Sequence, residues 1–312
     1  MKKVLVTCPP MLGLLDEFIE PAKELGLELI AAKTTQTLSE EELISLLPNY
    51  EGWIIGDDPA TKQVFEAGVS GELKAAVKWG IGVDNVDFEA CKELNIPITN
   101  TPNMFGGEVA DLGLCLMLSL ARQTHYIDRE IRLNKAWPKP AGMSISGKHI
   151  GVVGFGDIGE NLVKRLSGFG VAATVYDPGV LGNKGFQFVE RQEYPNGIEQ
   201  CDFLVFTCSL NKHNYHMLNA DVLKKMKPGA MIVNVARGPL IDEAALISAL
   251  QCGHIYAAAL DVFEVEPLPE VSPLRNMPQC IFGSHNGSNT VEGVRRATNK
   301  AIEEMAKFLN CN

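Results

Sequence analysis

Three short polar segments, each after an apolar run, carry side chains suited to acid–base chemistry. Arg237 stands in Asn-Val-Ala-Arg-Gly, Glu266 in Asp-Val-Phe-Glu-Val-Glu-Pro and His285 in Gly-Ser-His-Asn-Gly. An arginine stays charged and binds a carboxylate through two parallel hydrogen bonds, whereas an imidazole exchanges protons near neutrality. A carboxylate beside the imidazole would orient it and favour its protonated form. The set predicts reduction of a 2-keto acid, in which Arg237 holds the anion and His285 supplies the proton.

Each of these residues also has an ordinary structural explanation. An arginine after a strand is usually a member of a surface ion pair, and a lone histidine more often serves packing than chemistry. For His285 taken alone the structural explanation is favoured, but its position after a strand, together with a dinucleotide motif, favours function. The remaining histidines do not stand in such motifs and are predicted to be structural: His125, His149, His213, His216 and His254.

A glycine-rich segment is the candidate dinucleotide site. Residues 154–159 read Gly-Phe-Gly-Asp-Ile-Gly between an apolar run and a helical pattern, and Asp177 ends the next apolar run. Gly154 permits a tight turn, Gly156 lets the backbone approach a pyrophosphate, and Gly159 allows close helix–sheet packing. The Asp177 carboxylate would accept from ribose hydroxyls and repel a 2′-phosphate, which predicts NAD rather than NADP. A glycine-rich turn without a ligand is the alternative.

Short apolar runs alternate with helical patterns along the chain, and these elements would position the polar segments. The predicted strands are Lys2–Thr7, Leu27–Ala31, Gly52–Ile55, Ala75–Trp79, Ile96–Asn100, His149–Gly154 and Ala172–Tyr176. The predicted helices span residues 12–25, 40–47, 62–67, 107–132, 158–169 and 290–309. A loop rich in proline and glycine, residues 134–146, separates two such sets. The alternation predicts an α/β fold with two doubly wound parallel sheets, whose ligands bind beyond the strands' carboxyl ends.

Length and composition agree with a two-domain globular protein. A chain of 312 residues is longer than a domain with a single hydrophobic core usually is. Of its residues, 46% are hydrophobic and 21% are charged. The formal net charge is −10 without any run of lysine and arginine, which argues against nucleic acid or an anionic membrane as partner. A small anionic substrate would therefore depend on local basic residues.

The cysteines and the N-terminus bear on the cellular compartment. Eight cysteines are scattered without a C-x-x-C pair or a histidine at zinc spacing, so we expect reduced thiols and no metal site. The first apolar run is too short for a signal peptide, and no stretch of about 18 apolar residues follows. The sequence predicts a cytoplasmic protein that is neither exported nor membrane-spanning.

With these motifs in this order, the sequence resembles the D-isomer-specific 2-hydroxyacid dehydrogenases, which include D-3-phosphoglycerate, D-lactate, glyoxylate and phosphite dehydrogenases. The resemblance covers nearly the whole chain. It extends to residues 78–87, which read Lys-Trp-Gly-Ile-Gly-Val-Asp-Asn-Val-Asp, and to residues 100–103, which read Asn-Thr-Pro-Asn.

The resemblance implies a role for each matched residue. Arg237, Glu266 and His285 would be catalytic, while Lys78 and the backbone amides of Ile81 and Gly82 would bind the substrate. The residues implied to line the cofactor are Gly154, Gly156, Asp157, Ile158, Gly159, Asp177, Cys208, Ala236 and Asp261. Among these, Asp261 would lie near the nicotinamide amide.

The resemblance also implies the domain organisation. A Rossmann NAD-binding domain would occupy residues 100–287, and a discontinuous, flavodoxin-like substrate-binding domain would take residues 1–99 and 288–312. A homodimer built on the NAD-binding domain is expected. We do not expect the regulatory extension that some phosphoglycerate dehydrogenases carry.

Two departures from the family pattern bear on the substrate and on the histidine loop. Asp57 and Asp58 stand where phosphoglycerate-type enzymes can place a basic residue, and two acids would repel a phosphate unless a cation compensates. Ser284 stands before His285, where the familiar pattern has proline. Phosphoglycerate stays open as a substrate.

The same motifs leave two alternatives to keto-acid reduction. A phosphite or formate dehydrogenase would keep the hydride chemistry, and Lys78 is compatible with phosphite. A non-catalytic NAD-sensing scaffold would resemble the transcriptional corepressors of this family, which retain the dinucleotide fold and can keep the three catalytic side chains.

Overall fold

The computed structural model describes residues 1–310 and divides into two compact units. The first consists of Met1–Phe105 and the segment that starts at Asn289, and the second of Gly106–Ser288. Each unit contains one sheet in which all strand pairs are parallel. The predicted fold class, two parallel α/β sheets, is confirmed.

The first unit has a five-stranded sheet in the order β2-β1-β3-β4-β5. Its strands are β1 Lys2–Val6, β2 Leu27–Ala31, β3 Gly52–Ile55, β4 Ala75–Lys78 and β5 Ile98–Asn100. Its helices before residue 106 are α1 Pro9–Leu12, α2 Ile19–Glu24, α3 Glu40–Leu46, α4 Lys62–Val69 and α5 Phe88–Glu93. Every residue of β3 and β4 is buried, as expected of central parallel strands that are covered on both faces.

The continuous helix predicted for residues 12–25 is wrong. The chain instead forms α1, a 3₁₀ turn at Leu15–Glu17, and α2. Pro21 has no amide hydrogen to bond the carbonyl four residues back, so it is tolerated only near the start of a helix. A new helix therefore begins at Ile19, with Pro21 in its first turn.

The second unit has a seven-stranded sheet in the order β12-β11-β10-β9-β6-β7-β8. Its strands are β6 His149–Val153, β7 Ala172–Tyr176, β8 Val189–Gln192, β9 Phe203–Phe206, β10 Ala230–Asn234, β11 Ile255–Leu260 and β12 Ile281–Phe282. Its helices are α6 Gly106–Arg122, α7 Thr124–Leu133, α8 Asp157–Leu166, α9 Ala220–Lys225 and α10 Glu243–Gln251. The strand order reverses at β6, which lies between β7 and β9, and such a switch point is where open α/β sheets bind ligands.

The single helix predicted for residues 107–132 is also wrong. Gln123 adopts a left-handed conformation, with φ 50° and ψ 34°, and separates α6 from α7. No glycine or proline stands at this position to signal a stop. The Gln123 side chain donates to the carbonyl of Ala141 at 3.1 Å, a contact 18 residues away that local sequence does not reveal.

The last helix, α11 Val291–Asn310, belongs to the first unit and packs on β3 and β4. A side chain at Gly52 would meet the sulfur of Met305 at 2.6 Å, so glycine allows this close approach. Trp79 Nε1 donates to Thr298 Oγ1 at 3.1 Å. Within residues 1–310, no helix has both the length and the apolar character needed to cross a bilayer.

Asp58 is fully buried in the first unit, where it serves as an acceptor for backbone amides. Its Oδ1 accepts from the Leu38 amide at 2.9 Å, and its Oδ2 accepts from the Gly56 amide at 3.1 Å and from the Thr7 hydroxyl. Burial raises the pKa of Asp58, while these hydrogen bonds oppose that change. Its carboxylate is therefore a structural element of the loop after β3.

We expect Asp58→Ala to lower the free energy of unfolding by about 3 kcal/mol, because two buried amides and a hydroxyl would lose their acceptor. Asp16, an exposed acid of the same unit, provides the matched control, and Asp16→Ala should change stability by less than about 0.5 kcal/mol. Urea unfolding of both variants measures the difference. Equal stabilities would contradict a structural role for Asp58.

Candidate active site

The structure brings Glu266 and His285 together at the carboxyl end of the second sheet. Glu266 Oε2 lies 2.8 Å from His285 Nδ1, and its Oε1 accepts from the Phe263 amide at 2.9 Å. Both side chains are about a fifth to a quarter exposed. A carboxylate in this position fixes the ring orientation and favours the protonated imidazole, since opposite charges then face each other.

The buried carboxylate of Asp261 holds the loop that carries His285. Its Oδ1 accepts from the Asn286 amide at 3.1 Å and its Oδ2 from the Gly287 amide at 2.9 Å, while its backbone carbonyl accepts from the His285 amide at 2.7 Å. A side chain at Gly283 would lie 2.0 Å from Oδ1. His285 itself is left-handed, with φ 55°. These contacts fix the loop where Ser284 replaces the family's proline.

Burial raises the pKa of Asp261, while the Asn286 amide and the charge of His285 act in the opposite direction. The resemblance assigned Asp261 to the cofactor. The structure shows both of its carboxylate oxygens bonded to the His285 loop, a role that the sequence did not indicate.

The turn that carries Arg237 is held by Asn234, which ends β10 and is 1% exposed. Asn234 Nδ2 donates to the Arg237 carbonyl at 2.8 Å, and its Oδ1 accepts from the Ala236 amide at 3.0 Å. Arg237 Nη1 donates to the Ala236 carbonyl at 2.8 Å. A Cβ at Gly238 would lie 1.9 Å from the Phe263 carbonyl group, so this turn packs directly on the loop of residues 261–267.

The glycine-rich loop has the shape that a pyrophosphate needs. Gly154 has φ 95°, and a side chain there would meet the Cys208 amide at 2.6 Å. A side chain at Gly159 would lie 2.0 Å from the Gly154 carbonyl, whereas Gly156 faces open space. No side chain of the described residues caps α8 at Gly156, so its first-turn amides lack a side-chain acceptor, as in helix N-termini that bind an anion.

Three of the predicted cofactor residues, Asp177, Cys208 and Asp157, lie beside this loop. Asp177 follows β7, and its Oδ2 accepts from the Phe155 amide at 2.7 Å while its Oδ1 accepts from the Gly179 amide at 2.8 Å. Cys208 lies beside Gly154, and burial raises the pKa of its thiol to about 12, which keeps it neutral. Asn161 Nδ2 donates both to the Asp157 side chain, at 3.1 Å, and to the Asp157 carbonyl, at 2.9 Å.

The predicted substrate residues lie in the first unit. Lys78 is 2% exposed, and its Nζ donates to the Gly56 carbonyl at 2.7 Å, to Asp57 Oδ1 at 3.0 Å and to the Trp79 carbonyl at 3.2 Å. These three hydrogen bonds account for the three hydrogens of the Lys78 ammonium group. Ile81 and Gly82 follow Gly80, whose amide donates to Thr101 Oγ1 at 2.7 Å.

The side chains of residues 1–310 include no cluster of three or more histidines, cysteines or acids that could hold a metal ion. A guanidinium, an imidazole–carboxylate pair and a glycine-rich loop all lie on the carboxyl side of the second unit's sheet.

Residues 114–287 match the family model described as the NAD binding domain of D-isomer specific 2-hydroxyacid dehydrogenases. The chain is 34% identical to hydroxypyruvate reductase of Thermotoga maritima over 281 residues, which cover 88% of this chain and 90% of the relative. It is also 34% identical to D-3-phosphoglycerate dehydrogenase of Methanocaldococcus jannaschii over 316 residues, 99% of this chain and 58% of that protein. The apo-structure of D-lactate dehydrogenase from Escherichia coli superposes with a TM-score of 0.84 at 26% identity, covering 100% of this chain and 98% of the other.

We expect Asp177→Asn to lower the preference for NAD over NADP by about tenfold or more, since charge-assisted hydrogen bonds to the ribose would weaken and repulsion of a 2′-phosphate would disappear. Asparagine keeps one oxygen for the loop amides. Asp221→Asn on exposed α9 is the control. Dissociation constants of both nucleotides, measured by calorimetry, test this, and an unchanged preference would place cofactor selection elsewhere.

Proposed function

The chain belongs to the D-isomer specific 2-hydroxyacid dehydrogenase family, and we propose that it reduces small unphosphorylated 2-keto acids such as hydroxypyruvate or glyoxylate. The family and its NAD-binding domain make it an NAD-dependent oxidoreductase. The observation that carries the proposed chemistry is the 2.8 Å contact between Glu266 and His285 beside the Arg237 turn.

The charges after β3 support an unphosphorylated substrate. Asp58 is buried among amides, and the ammonium of Lys78 is engaged by Asp57 at 3.0 Å. The positive charge of Lys78 is therefore largely compensated before any substrate arrives. A phosphate dianion would need a further cation, whereas a short keto acid needs only one for its carboxylate. Among the relatives, one is named a hydroxypyruvate reductase and others glyoxylate reductases.

Each residue of the proposed mechanism acts through its own atoms. Bound NADH would supply the hydride for C2 of the keto acid. Arg237 would hold the carboxylate and polarise the carbonyl, and His285 Nε2 would donate a proton to the carbonyl oxygen as negative charge develops there. Glu266, on Nδ1 of the same ring, would stabilise the imidazolium. Reduction should then decline as rising pH deprotonates His285.

We assign NAD to the glycine-rich loop of the second unit. Gly156 and the first turn of α8 would hold the pyrophosphate, Asp177 the adenosine ribose, and Cys208 and Ala236 the wall of the pocket. The open space at Gly156 and the uncapped first turn of α8 support this assignment. Lys78, Ile81 and Gly82 remain our proposal for substrate binding, with the amides of Ile81 and Gly82 directed to the carboxylate.

We also propose a reducing compartment, the cytoplasm, as the location. In support, the seven cysteines within residues 1–310 are free thiols, while Cys311 lies outside the described residues. Burial raises the pKa of Cys8 and Cys91 to about 12, so these thiols are poor nucleophiles and have no reason to be paired.

Purified protein with NADH should oxidise the cofactor in the presence of hydroxypyruvate or glyoxylate, and 3-phosphohydroxypyruvate should be a poorer substrate. His285→Ala should lower the rate by a factor between about 10² and 10⁴ with little change in NADH affinity, because only the proton donor is removed. His213→Ala, at an exposed histidine, is the control. Absorbance of the nicotinamide follows the reaction.

Wild-type turnover by His285→Ala would remove the proton-donor assignment. NADH binding without turnover of any keto acid would favour a non-catalytic NAD-sensing scaffold. Reduction of NAD by phosphite or formate, measured in the same assay, would instead identify the alternative dehydrogenases.

We propose that the homodimer forms through α7 and the segment that follows it. Ile131, Leu133 and Trp137 expose 40%, 74% and 78% of their surface within seven residues. Exposed apolar groups this close together on a folded domain are typical of a contact surface. The segment lies in the NAD-binding domain of the family model.

Replacing both Leu133 and Trp137 with serine should convert the dimer to a monomer, because the apolar contact area would be lost. Leu181→Ser, a change at an equally exposed leucine elsewhere in the second unit, should leave the mass unchanged. Sedimentation velocity measures the mass. A dimeric double variant, or a monomeric wild type, would contradict this interface.

A further inference from the structure

A second histidine–carboxylate pair lies on the same loop as Glu266. His216 Nε2 is shielded from solvent and lies 2.5 Å from Glu264 Oε1, two residues before Glu266. The two side chains are each 30% exposed. The contact is close enough for an ion pair when the ring is protonated, although it is not aligned as a hydrogen bond. The loop of residues 261–267 is thus flanked by two imidazoles, His285 and His216.

The backbone of His216 reaches the other catalytic segment. Its amide donates to the Pro239 carbonyl at 2.8 Å, and Pro239 is two residues after Arg237. His216 is left-handed, with φ 49°, a conformation that costs energy for a residue with a Cβ. One residue therefore contacts both the Arg237 turn, through its backbone, and the loop of Glu266, through its ring.

Glu264 is held from a third side by the start of α10. The Glu243 amide donates to Glu264 Oε1 at 3.2 Å, and the Glu264 amide donates to Glu243 Oε2 at 3.3 Å. Burial raises the pKa of Glu243, and repulsion from the Glu264 carboxylate raises it further against the opposing amide hydrogen bond. A cation beside Glu264 would relieve that repulsion, and His216 is the side chain in place to provide it. The ring of Tyr215 stacks on His216 at 4.0 Å and covers its face.

We propose that His216 is a positioning residue that ties the Arg237 turn to the loop carrying Glu266. The inference rests on the proposed function, because its effect on turnover depends on the roles of Arg237, Glu266 and His285. His216 does not act on the substrate itself. It fixes Glu264, and through two peptide units it limits the freedom of Glu266 to move away from His285 Nδ1.

The sequence predicts only a structural role for His216, and the positioning role differs from it. A purely structural histidine would contribute stability alone. A positioning histidine must also change how firmly Glu266 supports the protonated form of His285, and displacements of about 1 Å at a reacting group can cost up to about 10² in rate.

The test uses the full chain and separates the backbone of His216 from its ring. Asparagine adopts the left-handed conformation readily, so His216→Asn keeps the bond to Pro239 and removes the ring contact. Glu264→Gln removes the negative charge of the other member of the pair. His213→Asn, the same replacement at an exposed histidine three residues earlier, is the matched control, and Glu266→Gln is the reference for complete loss of the partner of His285.

We expect His216→Asn and Glu264→Gln each to lower kcat by about tenfold with KM for NADH unchanged within about twofold. The double variant should have the same kcat as either single variant, since both substitutions remove the same contact between His216 and Glu264. The midpoint of the His285 titration, followed by NMR, should fall by about half a pH unit, in the direction of Glu266→Gln, because the carboxylate stabilises the protonated ring less well. The pH above which kcat declines should fall together with this midpoint.

Several results would overturn the proposal. Unchanged kcat in both variants would do so, as would multiplicative losses in the double variant. A lower melting temperature with an unchanged His285 titration would show a structural role only. If wild-type protein turned over no substrate, the proposed function would fail, and the NMR titration alone would then decide whether His216 positions the pair.

Discussion

The arrangement of the candidate site depends on one buried carboxylate. Asp261 follows the strand β11 and is buried, and its three oxygens, two from the side chain and one from the backbone, accept the amides of three successive residues that begin with His285. Burying a carboxylate costs free energy unless several donors compensate for the lost water. Here the loop amides are those donors, so the loop is held in the conformation that places the imidazole against Glu266. Removing the carboxylate would leave the Asn286 and Gly287 amides without their acceptor and would loosen the loop after His285.

Glycines and a buried asparagine extend this constraint to neighbouring loops. Gly283 leaves room for the Asp261 carboxylate, and Gly238 lets the Arg237 turn pack on the backbone of Phe263. Asn234 satisfies the donors and acceptors of that turn, so it can be buried without an unpaired polar group. The three catalytic candidates are therefore carried by loops that fix one another. Such mutual support is how a site attains the positional accuracy that proton transfer requires.

Local patterns in the sequence predicted much of this molecule. Most of the strands were predicted from apolar runs, although β8 and β9 were not. The glycine-rich loop with Asp177 and the pairing of Glu266 with His285 follow from residue types at strand ends, where parallel sheets gather their functional groups. The breaks at Pro21 and Gln123 were missed, the first because a helical pattern outweighed a single proline, the second because a contact to Ala141 decides it. The contacts of Asp261 with Asn286 and of His216 with Glu264 join residues 25 and 48 positions apart, and no periodicity in the sequence encodes such pairs.

We propose that His285, held by Glu266, gives its proton to a substrate whose carboxylate is bound by Arg237. A crystal structure of the complex with NAD and oxalate, an unreactive analogue of a short keto acid, tests this most directly. We expect an oxalate oxygen within about 3 Å of His285 Nε2 and a carboxylate on the Arg237 guanidinium. Oxalate bound elsewhere, or an imidazole turned away from it with Glu266 released, would contradict these roles of His285 and Arg237.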